Sequence, residues 1–316
     1  MRSNKGVETG TNKTHAIEAC GRVLPRVLQR VFRNMKSIHE ALLERLLLNA
    51  YALKSSTLID EGRKVRSLFP IAAAFVIFGC ATTSAQSAVP SNIANAVADQ
   101  NRPDEDRQRD ADRKPAEVLT FVGIKNGEKV ADFIPGTGYF SRILSSAVGP
   151  QGHVYGFFPS ELANFIKRPL PPNGSTPYLE FKNFSVIAAP VNDFAAPEPL
   201  DLVWISLNYH DLHDPFFAPA DPAKINNAVF AALKPGGRYV VIDHAAAAGS
   251  GLRDTNTLHR IDEASVKSEV EAAGFRLEDE SDLLHNAGDP RTANVKDPTI
   301  RGKTDQFILK FRKPKQ

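Results

Sequence analysis

The stretch Val130-Ala131-Asp132-Phe133-Ile134-Pro135-Gly136-Thr137-Gly138-Tyr139-Phe140-Ser141-Arg142-Ile143-Leu144 constrains this chain more than any other. A short apolar run breaks into a glycine-containing turn. Apolar residues then return at helical spacing, Tyr139 with Ile143 and Phe140 with Leu144. The pattern predicts strand, tight loop and helix, the opening unit of a doubly wound α/β domain. Gly136 and Gly138 carry no Cβ, so the backbone can turn sharply and a ligand can approach the main chain. Asp132 falls at the carboxyl end of the strand, the edge where open α/β sheets bind ligands. The loop is not a dinucleotide fingerprint, because no third glycine follows at the required spacing. Nor is it a phosphate loop, because Gly-Lys-Ser/Thr is missing.

With 316 residues, 42% of them hydrophobic, the chain can bury a sizeable core in one large or two small domains. The net charge of +3 is unevenly spread. Residues 1–66 carry 13 Lys/Arg against 6 Asp/Glu, and the remainder carries 26 against 30. The part built around the glycine loop is therefore mildly acidic, which argues against a nucleic-acid partner held on a broad basic surface. Cys20 and Cys80 both precede that part, so no disulfide or zinc–thiolate cluster can form inside it.

Residues 1–62 read as an N-terminal extension. Val23, Val27 and Val31 recur at i+4, as do Leu24, Leu28 and Phe32, with Arg22, Arg26, Arg30 and Arg33 interleaved. That is a basic amphipathic helix, suited to a membrane surface or a partner helix. Residues 63–88 read as an export signal: basic Arg63-Lys64-Val65-Arg66, an apolar run from Leu68 to Phe78, then small residues. The run is too short for a spanning helix. Ile77-Phe78-Gly79-Cys80 resembles a bacterial lipobox with Cys80 as lipid acceptor, and cleavage nearer Ala85–Ala88 is the alternative. Translation from a codon at Val65 would restore an ordinary N-terminal signal. The expectation is a cell-envelope or periplasmic protein, touching membrane only through this signal or a lipid anchor, and a cytoplasmic one if the signal is unused.

Residues 89–114 read as a linker with a helix starting near Pro103, whose Asp104, Glu105 and Asp106 suit a helix N-terminus. Residues 115–316 form the main domain. After a helix over 115–122, strands are expected at 129–134, 153–158, 184–188, 200–207 and 238–243. Helices alternate with them at 138–147, 160–167, 222–233 and 262–273. Two candidate strands, 275–278 and 306–312, finish the chain with no helix between them, which suggests an antiparallel closing pair. Alternation of this kind predicts a mostly parallel sheet wrapped by helices.

Leu233-Lys234-Pro235-Gly236-Gly237-Arg238, Leu200-Asp201-Leu202-Val203-Trp204 and Val154-Tyr155-Gly156, together with the Asp132–Gly138 loop, resemble in order the motifs of class I S-adenosylmethionine-dependent methyltransferases. In detail the chain looks like a group of predicted bacterial methyltransferases that often carry export signals. The resemblance implies a Rossmann-like methyltransferase fold, a seven-stranded sheet with an antiparallel closing strand, and S-adenosylmethionine as cofactor. Asp132, Gly136 and Gly138 would line the methionine end of that cofactor, and Asn192 or Asp193 would reach the adenine. Turn chemistry accounts for Asn192 and Asp193 equally well. The chain departs from the family twice. Ile134 stands at the first glycine position, and Phe158 stands where an acid normally holds the ribose hydroxyls. Glu161 is the nearest acid, either a substitute ribose ligand or an ordinary first-turn helix acid.

The expected activity is methyl transfer to a small-molecule acceptor. His210, in the loop after the fourth strand, is the first candidate base, with Asp211 beside it and His244 ending the fifth strand on the same edge. No metal is required, and His210, His213 and Asp214 form only a weak metal signal. Two long segments, Ala245–Arg260 and His285–Lys303, would hang over the site. Their Arg and His residues suit a carboxylate or phosphate acceptor. The alternative is a catalytically inactive methyltransferase-fold binding protein of the cell envelope. A third reading keeps the pocket for another reaction, with His210, His244 and His259 as metal or acid–base groups.

Overall fold

The computed structural model describes residues 88–167, 169–175, 181–218 and 220–315. The amphipathic extension, the export signal through residue 87, Cys20 and Cys80 lie outside the described residues. Among the described residues no helix is long and apolar enough to cross a membrane.

The chain runs α1 (Ser91–Ala98), α2 (Asp104–Arg107), α3 (Asp110–Arg113), α4 (Pro115–Val122), β1 (Lys129–Phe133), α5 (Tyr139–Val148), β2 (His153–Pro159) and α6 (Leu162–Ile166). It continues β3 (Phe184–Ala189), β4 (Leu200–Ser206), α7 (Pro222–Ala232), β5 (Leu233–His244), α8 (Thr255–Leu258), α9 (Glu263–Ala272), β6 (Arg276–Ser281) and β7 (Gln306–Arg312). The seven strands form one sheet in the order β3-β2-β1-β4-β5-β7-β6. β1 pairs in parallel with β2 and β4, β2 with β3, and β4 with β5. β7 is antiparallel to both β5 and β6. This is the doubly wound, Rossmann-like sheet with an antiparallel closing strand that the alternation predicts.

The central strands are covered on both faces, which is why β1 and β4 read as near-continuous apolar runs. Phe133, Phe157, Val203 and Tyr239 pack on one face. Val130, Ile143, Trp204, Val240 and Ile308 pack on the other. At the far edge β6 reads Arg-Leu-Glu-Asp-Glu-Ser and is largely exposed. Its charges discourage pairing with another chain.

Two expectations change. The Lys234–Gly237 turn lies inside β5: Leu233 pairs with Leu200 and Arg238 with Leu202, so the intervening residues bulge out of the ladder. Gly236 takes φ +79° there. Residues 89–114 are not a linker. α1 buries Ile93 and Ala96 in the core shared with α4 and α5. The Asn92 amide donates to the carbonyls of Ile124 (3.3 Å) and Ala147 (3.1 Å). The polar residues that suggested a linker are consumed in pairs: Arg102 with Asp110 (2.7 Å) and Arg142 of α5 with Asp106 (2.8 Å). The Tyr139 hydroxyl also donates to Asp110 (2.6 Å). These contacts clip α2 and α3 over the start of α5, beside the glycine loop.

Candidate active site at the carboxyl edge of the sheet

β1 ends at Phe133, and Ile134 then adopts φ +62°, a left-handed conformation that is strained for a β-branched residue. Its N–H donates to the Phe157 carbonyl at 2.9 Å, which holds the turn against β2. The position that the resemblance assigns to glycine thus keeps a glycine-type backbone while carrying a buried side chain. Gly136 (φ +61°) has nothing within 4 Å of where a Cβ would stand. Gly138 (φ +85°) leads directly into α5. Asp132 is buried, and its carboxylate accepts from the Ser141 hydroxyl at 2.5 Å. Burial pushes this carboxyl up to about 7, against the opposing pull of Ser141 and the Arg113 charge.

Two cavities share Ile134, Gly136, Thr137, Leu207 and Asn208 as walls. The smaller, of about 120 Å³, brings Asp132 together with Arg109 and Arg113. The Arg113 guanidinium lies over the Tyr139 ring, 4.6 Å from its centroid. Burial and the neighbouring Arg109 lower Arg113 to about 10, which leaves it a cation at neutral pH. The larger cavity, of about 460 Å³, has an apolar wall that includes Phe158, Leu162, Phe165 and Phe216. Facing that wall are Asn208, His210, Asp211, His244, His259 and Lys296. Leu207 (φ +61°) and His259 (φ +53°) also take left-handed backbone, so strained residues gather around this cavity.

The polar wall is organised by Asp243, the penultimate residue of β5 and fully buried. It accepts from the His210 backbone N–H and from His210 Nδ1, both at 2.8 Å. His210 Nε2 lies 3.2 Å from Asp211 Oδ1. Burial alone would lower His210, but the two carboxylates outweigh it and raise the ring to about 10. The expected base is therefore already protonated at neutral pH, held so by Asp243 and Asp211; sequence spacing gave no sign that Asp243 lay behind it. Asp211 is held below the ordinary carboxylate range: burial raises it, and His210 and His259 more than offset that. His244 is the opposite case. Burial lowers it to about 4, leaving a neutral imidazole whose Nδ1 meets the Thr304 hydroxyl at 2.7 Å.

Asp132, Gly136, His210, Asp211 and His244 are thus brought to the two cavities. Gly138 supports the loop from α5 and is buried. Glu161, Asn192 and Asp193 are not among the residues lining either cavity. The Glu161 carboxylate accepts from the Val191 N–H at 3.1 and 3.3 Å, and Asn192 Oδ1 accepts from the Asp221 N–H at 2.8 Å. Asp193 is exposed in the short turn after β3. Glu161 and Asn192 stitch the loops at the ends of β2 and β3, so turn chemistry fits Asn192 and Asp193, and the helix-start position fits Glu161, better than cofactor contact. His213 leaves the expected metal set, since its Nε2 faces Glu269 at 3.2 Å.

The two long segments do cover the site, through His259, Val295 and Lys296. Their charges are largely spent on one another. Arg260, fully buried, meets Asp289 at 2.9 Å and donates to the carbonyls of Ala245 and Ala293 at 3.0 Å. Asp289 accepts from the Asp305 N–H at 2.7 Å, and Arg291 donates to Asp305 at 2.7 Å. Arg113, Asp243 and Thr304 were not foreseen. Arg113 sat in a stretch that looked like linker, and the other two are joined to the site by strand pairing rather than by sequence distance.

No family model matches the sequence, and no curated protein matches it. Among solved structures the chain is similar to a SAM-dependent methyltransferase from Aquifex aeolicus (20% identity, 67% of this chain and 98% of that one, TM-score 0.44). It is also similar to an S-adenosylmethionine-dependent methyltransferase from Mesorhizobium loti (16%, 64% and 97%, TM-score 0.42). A further likeness is to Aeropyrum pernix fibrillarin in complex with natively bound S-adenosyl-L-methionine (15%, 64% and 76%, TM-score 0.37).

Proposed function

We propose that the chain binds S-adenosylmethionine across the two cavities and transfers its methyl group to a small-molecule acceptor. The observation that carries this reading is the charge pairing in the smaller cavity, where Asp132 and Arg113 line one space beside the Gly136–Gly138 turn. An α-amino carboxylate needs that combination: an acid for its ammonium and a guanidinium for its carboxylate. When bound, the cofactor supplies a methyl group on a sulfonium, open to in-line displacement. The protein's part is alignment and the handling of one proton. Asp132 and Arg113 would fix the amino-acid end, and the Phe158–Phe216 side would pack against the flat apolar part of the ligand. His244 is the neutral imidazole on the cavity wall able to take a proton from the acceptor. The protonated His210 and Lys296 favour an acceptor that carries negative charge. The export features of residues 63–88 support a location in the cell envelope.

Calorimetric titration of the full chain with S-adenosylmethionine and S-adenosylhomocysteine tests the proposal. Micromolar binding is expected. Gly136→Arg, which points a long side chain into open space, should abolish it. Arg113→Met should weaken it by roughly 10- to 100-fold, the worth of one charge-assisted hydrogen bond. Absence of binding by protein shown to be folded by circular dichroism overturns the proposal.

A further inference from the structure

The polar wall of the larger cavity gathers His210, Asp211 and His259 around one point. His210 Nε2 lies 3.2 Å from Asp211 Oδ1, and His259 Nδ1 lies 3.8 Å from that same oxygen. All three ligand atoms fall within 4.8 Å of one another. His259 Nδ1 is also 3.8 Å from Asp214 Oδ2. Asp214 is the independent observation. Its side chain is fully buried, yet neither carboxylate oxygen has a hydrogen-bond partner of acceptable geometry, although Thr255 lies nearby. A buried carboxylate whose oxygens make no hydrogen bond is costly, and such groups are ordinarily hydrogen-bonded or bound to a metal.

We propose that His210, Asp211 and His259 bind one divalent first-row transition-metal ion, with Asp214 set against the His259 ring as an additional carboxylate beside the ion and an open coordination position toward the larger cavity. Two imidazoles and a carboxylate are a donor set for zinc, cobalt, iron or manganese rather than for calcium or a thiophilic ion. Ligands at about 2.0–2.2 Å from a common ion stand roughly 3–3.6 Å apart, and the Asp211 oxygen already lies 3.2 Å from His210 Nε2 and 3.8 Å from His259 Nδ1. The surroundings suit this use. Asp243 accepts from His210 Nδ1 and aims Nε2 at the cluster, the carboxylate–histidine–metal arrangement that fixes the tautomer of a ligating ring. The ion displaces the His210 ring proton, as metals do at such sites. Lys296 Nζ, 3.1 Å from His259 Nε2, must turn aside on loading, which is open to it because the side chain is exposed. His210, Asp211 and His259 line the cavity, so a bound ion would present its remaining position to whatever small molecule enters. The site stands whether or not the cofactor reading holds.

The test uses the full chain stripped with chelator and titrated with Co²⁺, read by visible d–d absorption and by thermal unfolding, and repeated with Zn²⁺ by calorimetry. One equivalent should bind with micromolar or tighter affinity and raise the unfolding temperature. Asp211→Asn and His259→Gln, each confirmed folded by circular dichroism, should weaken binding at least tenfold and change the Co²⁺ spectrum. Asp214→Asn should do the same to a lesser degree. His213→Gln, whose ring faces Glu269, should leave binding unchanged. A folded, metal-free protein that takes up neither ion overturns the proposal, as does binding that survives both Asp211→Asn and His259→Gln.

Discussion

Asp132 shows what a single site residue costs the fold. Its carboxyl is raised from an ordinary value near 3.8 to about 7, chiefly by burial. The native state therefore holds a proton more tightly than the unfolded chain between those values. Above pH 7 the buried charge destabilises the protein in full, by at most about 4 kcal/mol, and the cost is relieved as pH falls through 7 toward 4. Urea unfolding across pH 5–8 should show this fall in stability with rising pH. Asp132→Asn should remove that component and be more stable than the parent at pH 8, while weakening cofactor binding. An unchanged pH slope in the variant would contradict the assignment. Asp132, Gly136 and Gly138 were legible because a strand, a glycine turn and a helix leave a local pattern. Ile134 was legible only as a departure. Its left-handed backbone comes from the turn between β1 and α5, which the surrounding structure enforces on a residue that would not choose it.

At the scale of elements, β1 to β5 and the intervening helices were readable because buried parallel strands and amphipathic helices have distinct periodicities. α1 was not. It contributes only Ile93 and Ala96 to the core, too few apolar positions to rise above a polar background. Its importance is nonetheless a packing question. Ile93 is fully buried against α4 and α5, so Ile93→Ala should destabilise the protein by about 2–5 kcal/mol. The urea midpoint should drop with little change in slope. A loss under about 0.5 kcal/mol, typical of a surface position, would mean that α1 is not part of the folded unit. The neighbouring short helices explain why Arg113 escaped notice: its position over Tyr139 depends on α2 and α3 being clipped to α5 by Arg142–Asp106 and Tyr139–Asp110.

For the whole domain, the wall opposite the glycine loop depends on segments far apart in sequence. The Arg260–Asp289 pair is fully buried at both ends and ties the connection after β5 to the one before β7. Removing one member leaves the other charge uncompensated, so Asp289→Ala should cost about 3–5 kcal/mol. Hydrogen exchange should speed up at Ala245 and Asp305, whose amides hold the two segments together. Retained stability, or faster exchange confined to residues 285–303, would show that the pair does not brace the cavity.

The sequence by itself determined the fold class, the element order and the edge of the sheet at which the two cavities open, because each is written in local hydrophobic period and turn chemistry. Only the tertiary structure decided which polar residues meet. It set Asp243 behind His210, Asp214 beside His259 and Arg113 across from Asp132, and it turned Glu161 and Asn192 into loop stitching. The physical reason is that a side chain's charge state and partners follow from burial and from neighbours across the sheet. Strand pairing and loop packing bring those neighbours together from positions as far apart in sequence as His210 and Asp243.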